Sequence, residues 1–459
     1  MGFQLAQFSH SSEIAVPAID LDSWHTRVGA FERLAPPWQR VILESGGDVT
    51  EGARATLRLQ FGPFSQRWVA LHEVVRPGEG FTDVQESGPF ASWRHAHRFE
   101  SLGTGRSRLR DEIDFRLPLD PLSRVALPLV QQQLRQTFSY RHRVTAHDLK
   151  RHAAYSQTPL RIVMSGASGL VGTALAAYLS TAGHTVQVLS RSSKPGGRYP
   201  SIPWSVADQT IDPEALEGAD AIIHLAGAPI ATRWTPETKE RIRTSRVHGT
   251  ELLARTIASL SRPPRLFLTA SAIGWYGAIT DDRPRVESDE NGDGFLASVV
   301  REWEAATGPA DDTTRVAQIR LGVILSAAGG ALQKMLPAFQ FGAGGPIASG
   351  RQWFSWIVLD DLLAAIEHVL HNEDLSGPIN MTAPNPIRQR EFANTLGTVL
   401  GRPSIAPLPR FVVEALFGEM GRETVLEGVP VHPNKLAESG FEFTYPNLDG
   451  ALRHSLGRT

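Results

Sequence analysis

The sequence predicts a doubly wound α/β domain preceded by an α+β domain, and three observations carry that expectation. From residue 160 onward, apolar runs of strand length (RIVM, TVQVL, AIIHLAG, RLFLTAS, AQIRLGVIL) alternate with stretches of helical periodicity, the pattern of a parallel sheet covered by helices. Before it, ARATLRLQFG (53–62) and SRLRDEIDFRLPL (107–119) alternate apolar and polar residues, as antiparallel strands with one buried face do. At 459 residues the chain also exceeds what one ordinary core holds, so two or three domains are expected.

The elements follow in order. After the early strands, RVALPLVQQQLRQTFSYRHRVTAHDLKRHAAY (124–155) places Val130, Leu134 and Phe138 on one helical face, so a long helix closes a first domain over 1–155. Ser156, Gln157, Thr158 and Pro159 form a polar break. The parallel-sheet domain then runs over 159–400, and 401–459, with short helical patterns among Pro and Gly turns, forms a small C-terminal lobe.

Composition excludes several partners. A net charge of -2 and a pI near 6.7 leave no basic footprint for nucleic acid and no polybasic signal for anionic lipid. With no cysteine, the chain has no disulfide, thiolate metal site or cysteine nucleophile, which fits a reducing compartment and makes the cytoplasm the expected location. The opening MGFQLAQFSHSSEIAVP lacks a basic start followed by an apolar core, and no stretch approaches the roughly 18 apolar residues of a membrane helix. Neither export nor membrane insertion is expected.

The clearest motif is GASGLVG. Leu160 to Met164 supply a strand before it and Val171 to Leu179 a helix after it, the context in which a glycine triplet cradles a dinucleotide. Gly166 allows the tight turn, Gly169 the approach of the pyrophosphate, and Gly172 the packing of helix on strand. Ser168, Leu170 and Val171 complete the turn at the helix N-terminus. This is an NAD(P)-binding Rossmann domain. Its second strand, HTVQVLSR, ends in Ser190 and Arg191, with Lys194 close by, where an NAD enzyme places a carboxylate for the ribose 2'-hydroxyl. Cations there suit a 2'-phosphate, so NADP(H) is expected over NAD(H); the alternative makes Arg191 a solvated surface charge. A later strand ends His224, Leu225, Ala226, Gly227, and the last three are small enough for the cofactor's adenine and ribose side to lie against them.

The spacing of GASGLVG resembles the extended short-chain dehydrogenase/reductase superfamily. That resemblance implies a Tyr with a Lys four residues later, because the ammonium lowers the phenol pKa and anchors the nicotinamide ribose. None of Tyr140, Tyr155, Tyr178, Tyr199, Tyr276 and Tyr445 has that lysine, and Phe295 or Leu296 and Val299 or Val300 stand at the corresponding positions. In LTASAIGWYG (268–277), however, Ser271 matches the superfamily's substrate-holding serine and Tyr276 is the candidate acid/base. Glu302 and Glu304 flank Trp303 and are expected on a solvated helix face with the tryptophan buried.

Over about 160–456 the chain resembles the NAD-dependent epimerase/dehydratase family, including nucleoside-diphosphate-sugar epimerases and SulA-type proteins. GASGLVG, HLAGAPI, RWTPETKERIRTSRVHGT, SAIGWYG, IRLGVILSAAGGAL, GGPIASGRQWFSWI and the tail GEMGRETVLEGVPVHPNKLAESGFEFTYPNLDGAL carry the match. Val358 departs from it, standing where that family more often has histidine. The resemblance puts Arg351, Gln352 and Trp353 on the substrate side. Arg351 is suited to a phosphate or carboxylate, unless it pairs internally with Asp360 or Asp361.

FERLAPPWQRV (31–41), RWVALHEVV (67–75), GPFASWRHAHRF (88–99) and FSYRHRVTAHDL (138–149) resemble the START-like helix-grip fold of polyketide cyclase-type proteins. That likeness implies an apolar cavity for a hydrophobic ligand, lined by Trp38, Trp93 and His95. His95 and His97 share one strand face, but two imidazoles without a third ligand make a weak site, so no metal is expected. The sequence points to an NADP(H)-dependent oxidoreductase or epimerase-like enzyme acting on an anionic or nucleotide-linked small molecule. The alternative is a non-catalytic NADP(H)-binding sensor. Oligomeric state is not legible.

Overall fold

The computed structural model of the chain describes residues 5–62, 64–120, 122–155, 158–191, 197–278 and 281–458, so Ser156, Gln157 and Lys194 lie outside the described residues. The chain divides into two units, one of residues 1–159 and 177–184 and the other of 160–176 and 185–458.

The first unit is α+β. Its strands are β1 (Ala6–Ile14), β2 (Arg40–Ser45), β3 (Arg54–Phe61), β4 (Phe64–Arg76), β5 (Gly80–Ser87), β6 (Ser92–Ser101) and β7 (Ser107–Arg116). They form one antiparallel sheet in the order β1-β7-β6-β5-β4-β3-β2. Helices α1 (Ala18–Thr26) and α2 (Ala30–Leu34) link β1 to β2, and the 26-residue α3 (Leu127–His152) follows β7. Pro128 in the first turn of α3 needs no N–H there, and Lys150, Arg151 and His152 in its last turn suit the negative end of the helix dipole.

Register shifts between β4 and β5 help bend the sheet, and its inner face presents alternate residues of each strand. That face has two apolar ends. Trp93, Ile113, Phe115 and Phe138 form one cluster, against which Val130 and Leu134 pack, as the helical spacing predicts. Leu21, Trp24, Phe81, Phe99, Leu109 and Leu149 belong to the other. Between them β6 and β7 carry His95, His97 and Asp111, a polar belt across an otherwise apolar interior. Trp38 stands edge-on to Tyr140, and Trp93 is packed among Trp68, Phe90 and Phe115.

The second unit is α/β. Strands β8 (Arg161–Ser165), β9 (Thr185–Ser190), β10 (Ser201–Ser205), β11 (Thr210–Ile211), β12 (Ala221–His224), β13 (Leu266–Ala272) and β14 (Arg315–Leu321) join a further strand, Gly377–Met381. The sheet order is β11-β10-β9-β8-β12-β13-β14 and then that strand. All these neighbours are parallel except the β10–β11 hairpin. Two short pairs lie outside the sheet: β15 (Val323–Leu325) with β17 (Trp356–Val358), and β16 (Trp353–Phe354) with β19 (Ile387–Arg388). The sheet's last strand, Gly377–Met381, is therefore β18.

The central strands read as near-continuous apolar runs because both faces are covered, and Ile162, Val163, Ile222, Ile223 and Phe267 have no exposed surface. Helices α4 (Leu170–Thr181), α5 (Pro236–Ser259), α6 (Phe295–Ala305), α7 (Gly330–Gln340) and α8 (Leu359–His371) follow strands of this unit. Helix α9 (Gln389–Leu400), α10 (Arg410–Gly421), a π-helical turn at Arg422–Leu426, α11 (Asn434–Glu438) and α12 (Leu448–Leu456) complete the chain. Strand order reverses between β8 and β12, and ligands of such sheets bind beyond the carboxyl ends of strands at that switch point. No described helix is long and apolar enough to cross a membrane.

Candidate functional site

Both segments expected to hold the cofactor lie at this switch point. GASGLVG follows β8, and Leu225, Ala226 and Gly227 follow β12. Each glycine is there for a different reason. Gly166 has φ +74°, and a Cβ on it would fall 2.6 Å from the Leu225 carbonyl carbon and 2.7 Å from Ala226 N. A Cβ on Gly172 would fall 2.2 Å from the Gly166 carbonyl oxygen, so the first turn of α4 rests directly on the loop. At Gly169 a Cβ would meet only the Gly166 carbonyl oxygen, at 3.4 Å. The protein's own packing does not demand glycine at 169, so the loop there is open to close approach from outside. Ser168 and Gly169 are exposed and Leu170 and Val171 partly so, at the N-terminus of a 12-residue helix, the kind of end that suits an anion, and the Gly169 N–H donates to the Gly166 carbonyl within the turn at 3.0 Å. The residues present therefore fit a dinucleotide.

Behind them Ser165 Oγ lies 2.5 Å from His224 Nδ1, and burial alone pushes the His224 imidazole down to about 4, so it is neutral. Ser190 ends β9 half-buried, and the following Arg191 is exposed with no ion-pair partner among the described residues. One cation was not singled out in the sequence. Arg246 on α5 has its guanidinium carbon 3.4 Å from where a Cβ on Gly227 would stand, and 5.2 Å from the Trp303 ring. Burial lowers its pKa to about 10. The motif RWTPETKERIRTSRVHGT contains it, but only the fold brings it beside Gly227.

Ser271 and Tyr276 are joined through two other side chains. Register sets Ser271, Arg320 and Asn380 in a row across β13, β14 and β18. Ser271 Oγ donates to Glu304 Oε1 at 2.6 Å, and Arg320 grips the same carboxylate through Nε and Nη2, both at 2.8 Å. Arg320 Nη1 donates to the Tyr276 hydroxyl at 3.1 Å, whose hydrogen lies between Asn380 Oδ1 at 2.8 Å and the Val286 carbonyl at 3.0 Å. Burial pushes the Tyr276 phenol up to about 12 against the pull of Arg320. Burial opposes the charge of Arg320, yet Glu304 holds its pKa above the ordinary value. Glu304 is thus buried and paired rather than on a solvated face. Glu302 is half-exposed and bonds Arg243 at 2.5 Å, and Trp303 is buried as expected.

At the positions of the missing Tyr-Lys pair, Phe295 packs on Trp234 with ring centroids 5.0 Å apart, and Val299 and Val300 are buried. Lys239 Nζ sits 4.8 Å from the Phe295 ring and bonds Glu419 at 2.6 Å. Glu423 caps α6 from 127 residues away, accepting from Leu296 N at 3.0 Å and from Phe295 N at 3.2 Å.

Arg351 lines a cavity of about 460 Å³ together with Asp282, Gly350, Arg388 and Arg390. Arg388 lies 3.7 Å over the Trp353 ring and donates to Asp282 at 2.7 Å, and Arg390 donates to the Ser349 carbonyl. The Arg351 guanidinium has no bond among the described residues. Asp361 instead accepts from the backbone N–H groups of Thr444 and Tyr445, and Asp360 lies 2.5 Å from His454 Nε2. Gln352 turns to the Ile347 and Val425 carbonyls and Trp353 donates to Asp282, so of the three only Arg351 lines the cavity. Val358 is buried.

Residues 162–300 match the NAD dependent epimerase/dehydratase family, residues 14–142 match polyketide cyclase / dehydrase and lipid transport proteins, and residues 408–455 match a domain of unknown function, DUF1731. The chain is 40% identical over 309 residues to an epimerase family protein SDR39U1 homolog, chloroplastic, of Arabidopsis thaliana, covering 66% of this chain and 88% of that one. The crystal structure of a nucleoside-diphosphate sugar epimerase from Corynebacterium glutamicum aligns with a TM-score of 0.78 at 32% identity, over 98% of this chain and 90% of that one. Human epimerase family protein SDR39U1, solved with NADPH, aligns with a TM-score of 0.60 at 34% identity, over 65% of this chain and 99% of that one.

Proposed function

This chain belongs to the NAD dependent epimerase/dehydratase family, and from that premise we propose that it is an NADP(H)-dependent oxidoreductase or epimerase-like enzyme whose substrate is an anionic or nucleotide-linked small molecule. The observation that carries this reading is the glycine turn, where packing requires Gly166 and Gly172 while Gly169 leaves room for the close approach of a pyrophosphate. Gly166, Ser168, Gly169, Leu170, Val171 and Gly172 hold the pyrophosphate. Ser190 and Arg191 take the 2'-phosphate, and Leu225, Ala226 and Gly227 back the adenine-ribose side. The human relative solved with NADPH supports the choice of cofactor. Bound NADP(H) supplies hydride exchange.

On the substrate side, Arg351, Arg388 and Arg390 face one carboxylate, Asp282, a surplus of cationic forks that suits a phosphate or diphosphate. Ser271 and Tyr276 work in this reading as positioning residues, since the Tyr276 hydrogen is committed and the phenol stays protonated at neutral pH. The helix-grip domain, over 1–155, takes a hydrophobic ligand, 159–400 binds the cofactor and 401–459 forms a small C-terminal lobe. The lack of cysteine suits a reducing compartment, and in this reading the protein works in the cytoplasm.

The buried Tyr276 and the apolar Phe295, Val299 and Val300 favour a second reading, a non-catalytic NADP(H)-dependent sensor. Incubation with NADPH or NADP⁺ and a panel of nucleoside-diphosphate sugars and phosphorylated carbonyl compounds separates the two. The enzyme reading predicts turnover of one class, with KM raised in Arg351→Ala. If ligands of the panel bind and shift NADPH affinity while none is turned over, the sensor reading holds.

A further inference from the structure

The polar belt of the first unit has the makings of a metal site. Asp83 on β5 pairs with His95 on β6 across the sheet, and His97 pairs with Asp111 on β7. His95 and His97, two residues apart, project from the same face. Asp83 Oδ1 lies 3.6 Å from His95 Nδ1 and 3.7 Å from His97 Nε2, and one donor atom from each of Asp83, His95 and His97 falls within 4.8 Å of the others. Donors bound to one ion at about 2.0–2.2 Å stand roughly 3–3.5 Å apart, so a small contraction brings all three onto a common centre.

The other nitrogens of the two imidazoles point to the same conclusion. His95 Nε2 is 2.8 Å from Asp111 Oδ1, and His97 Nδ1 is also 2.8 Å from it, though without hydrogen-bond alignment. Each histidine therefore turns one nitrogen to Asp111 and the other to Asp83. A carboxylate behind a metal-bound histidine fixes its tautomer and ring orientation in the same way. Asp111 is itself held from the opposite side by His142 of α3 at 2.6 Å. His72, directly opposite Asp83 on β4, is buried, and its Nδ1 has no hydrogen-bond partner among the described residues.

We propose that Asp83, His95 and His97 bind a divalent first-row transition-metal ion, with Asp111 orienting both histidines from behind. Two imidazoles and one carboxylate suit Zn²⁺, Co²⁺ or Fe²⁺, which take a fourth ligand besides these three. The third ligand missing from the sequence reading is Asp83, twelve residues upstream of His95 and brought alongside by the β5–β6 pairing.

Titration of the full chain, freed of metal by a chelator, with Co²⁺ tests the site, because cobalt bound to nitrogen and oxygen donors gives visible absorption that Zn²⁺ abolishes on displacement. One equivalent per chain is expected. Asp83→Asn and His97→Gln should each weaken binding at least about tenfold, and Asp111→Asn by roughly 10–100-fold because it no longer orients the two histidines. Circular dichroism identifies variants that keep the fold, and His97→Gln serves if Asp83→Asn does not. Absence of binding to the wild type, or equal binding by the folded variants, overturns the proposal.

Discussion

Arg320 and Glu304 form a two-pronged ion pair, both hydrogen bonds 2.8 Å long, in the interior of the second unit. Removing one partner leaves an uncompensated buried charge, which costs about 3–5 kcal/mol. Ser271 adds only a single bond to the same carboxylate, and losing it costs about 1–3 kcal/mol. Urea unfolding of the second unit should therefore rank Arg320→Ala and Glu304→Ala well below Ser271→Ala, and Ser271→Ala below the wild type. Equal midpoints for all three variants would contradict the pairing.

The three glycines of the turn should separate folding from binding. Gly166→Ala strains a left-handed residue against the Leu225–Ala226 backbone, and Gly172→Ala drives a methyl into the Gly166 carbonyl, so both should lower the melting temperature. Gly169→Ala meets nothing closer than 3.4 Å and should melt like the wild type while binding NADPH more weakly. Unchanged NADPH affinity in Gly169→Ala would leave that glycine unexplained.

The geometry of this turn was legible in the sequence because its determinants are local: strand, three glycines and helix are contiguous, and backbone sterics alone require glycine at 166 and 172. Glu304 was not. Helical spacing placed it beside a solvated Glu302, and only the β13–β14–β18 register brings Arg320 and Ser271 to it. Asp83 and Arg246 escaped for the same reason, since each meets its neighbours through strand pairing or helix packing that a linear pattern does not encode. The fold class was readable from periodicity, whereas the charged residues that the fold buries together were not.

His224 sets a pH dependence. Its folded pKa, about 4, lies below the ordinary 6.5, so the unfolded chain takes up the proton first. This group leaves stability untouched above the unfolded value and subtracts from it as pH falls from 6.5 toward 4, by up to about 1.4 kcal/mol per unit. The wild type should lose stability between about pH 6.5 and about pH 4 more steeply than His224→Gln, as followed by denaturant midpoints. Parallel slopes would show that His224 is not held neutral.

Tyr276→Phe removes a buried hydroxyl that accepts from Arg320 and donates to Asn380. A positioning role predicts a stability loss of about 1–3 kcal/mol with the NADPH dissociation constant unchanged. A variant that melts like the wild type yet loses turnover would instead make the phenol a catalytic group.

The most direct test of the account is cofactor choice, measured as dissociation constants of NADPH and NADH by fluorescence titration of the wild type and Arg191→Ala. A charge-assisted contact to the 2'-phosphate is worth about 1.5–3 kcal/mol, so NADPH should bind roughly 10–100-fold more tightly than NADH, and Arg191→Ala should erase most of that ratio. Equal affinities in the wild type, or a preference that survives the substitution, would contradict the assignment of Arg191 to the 2'-phosphate.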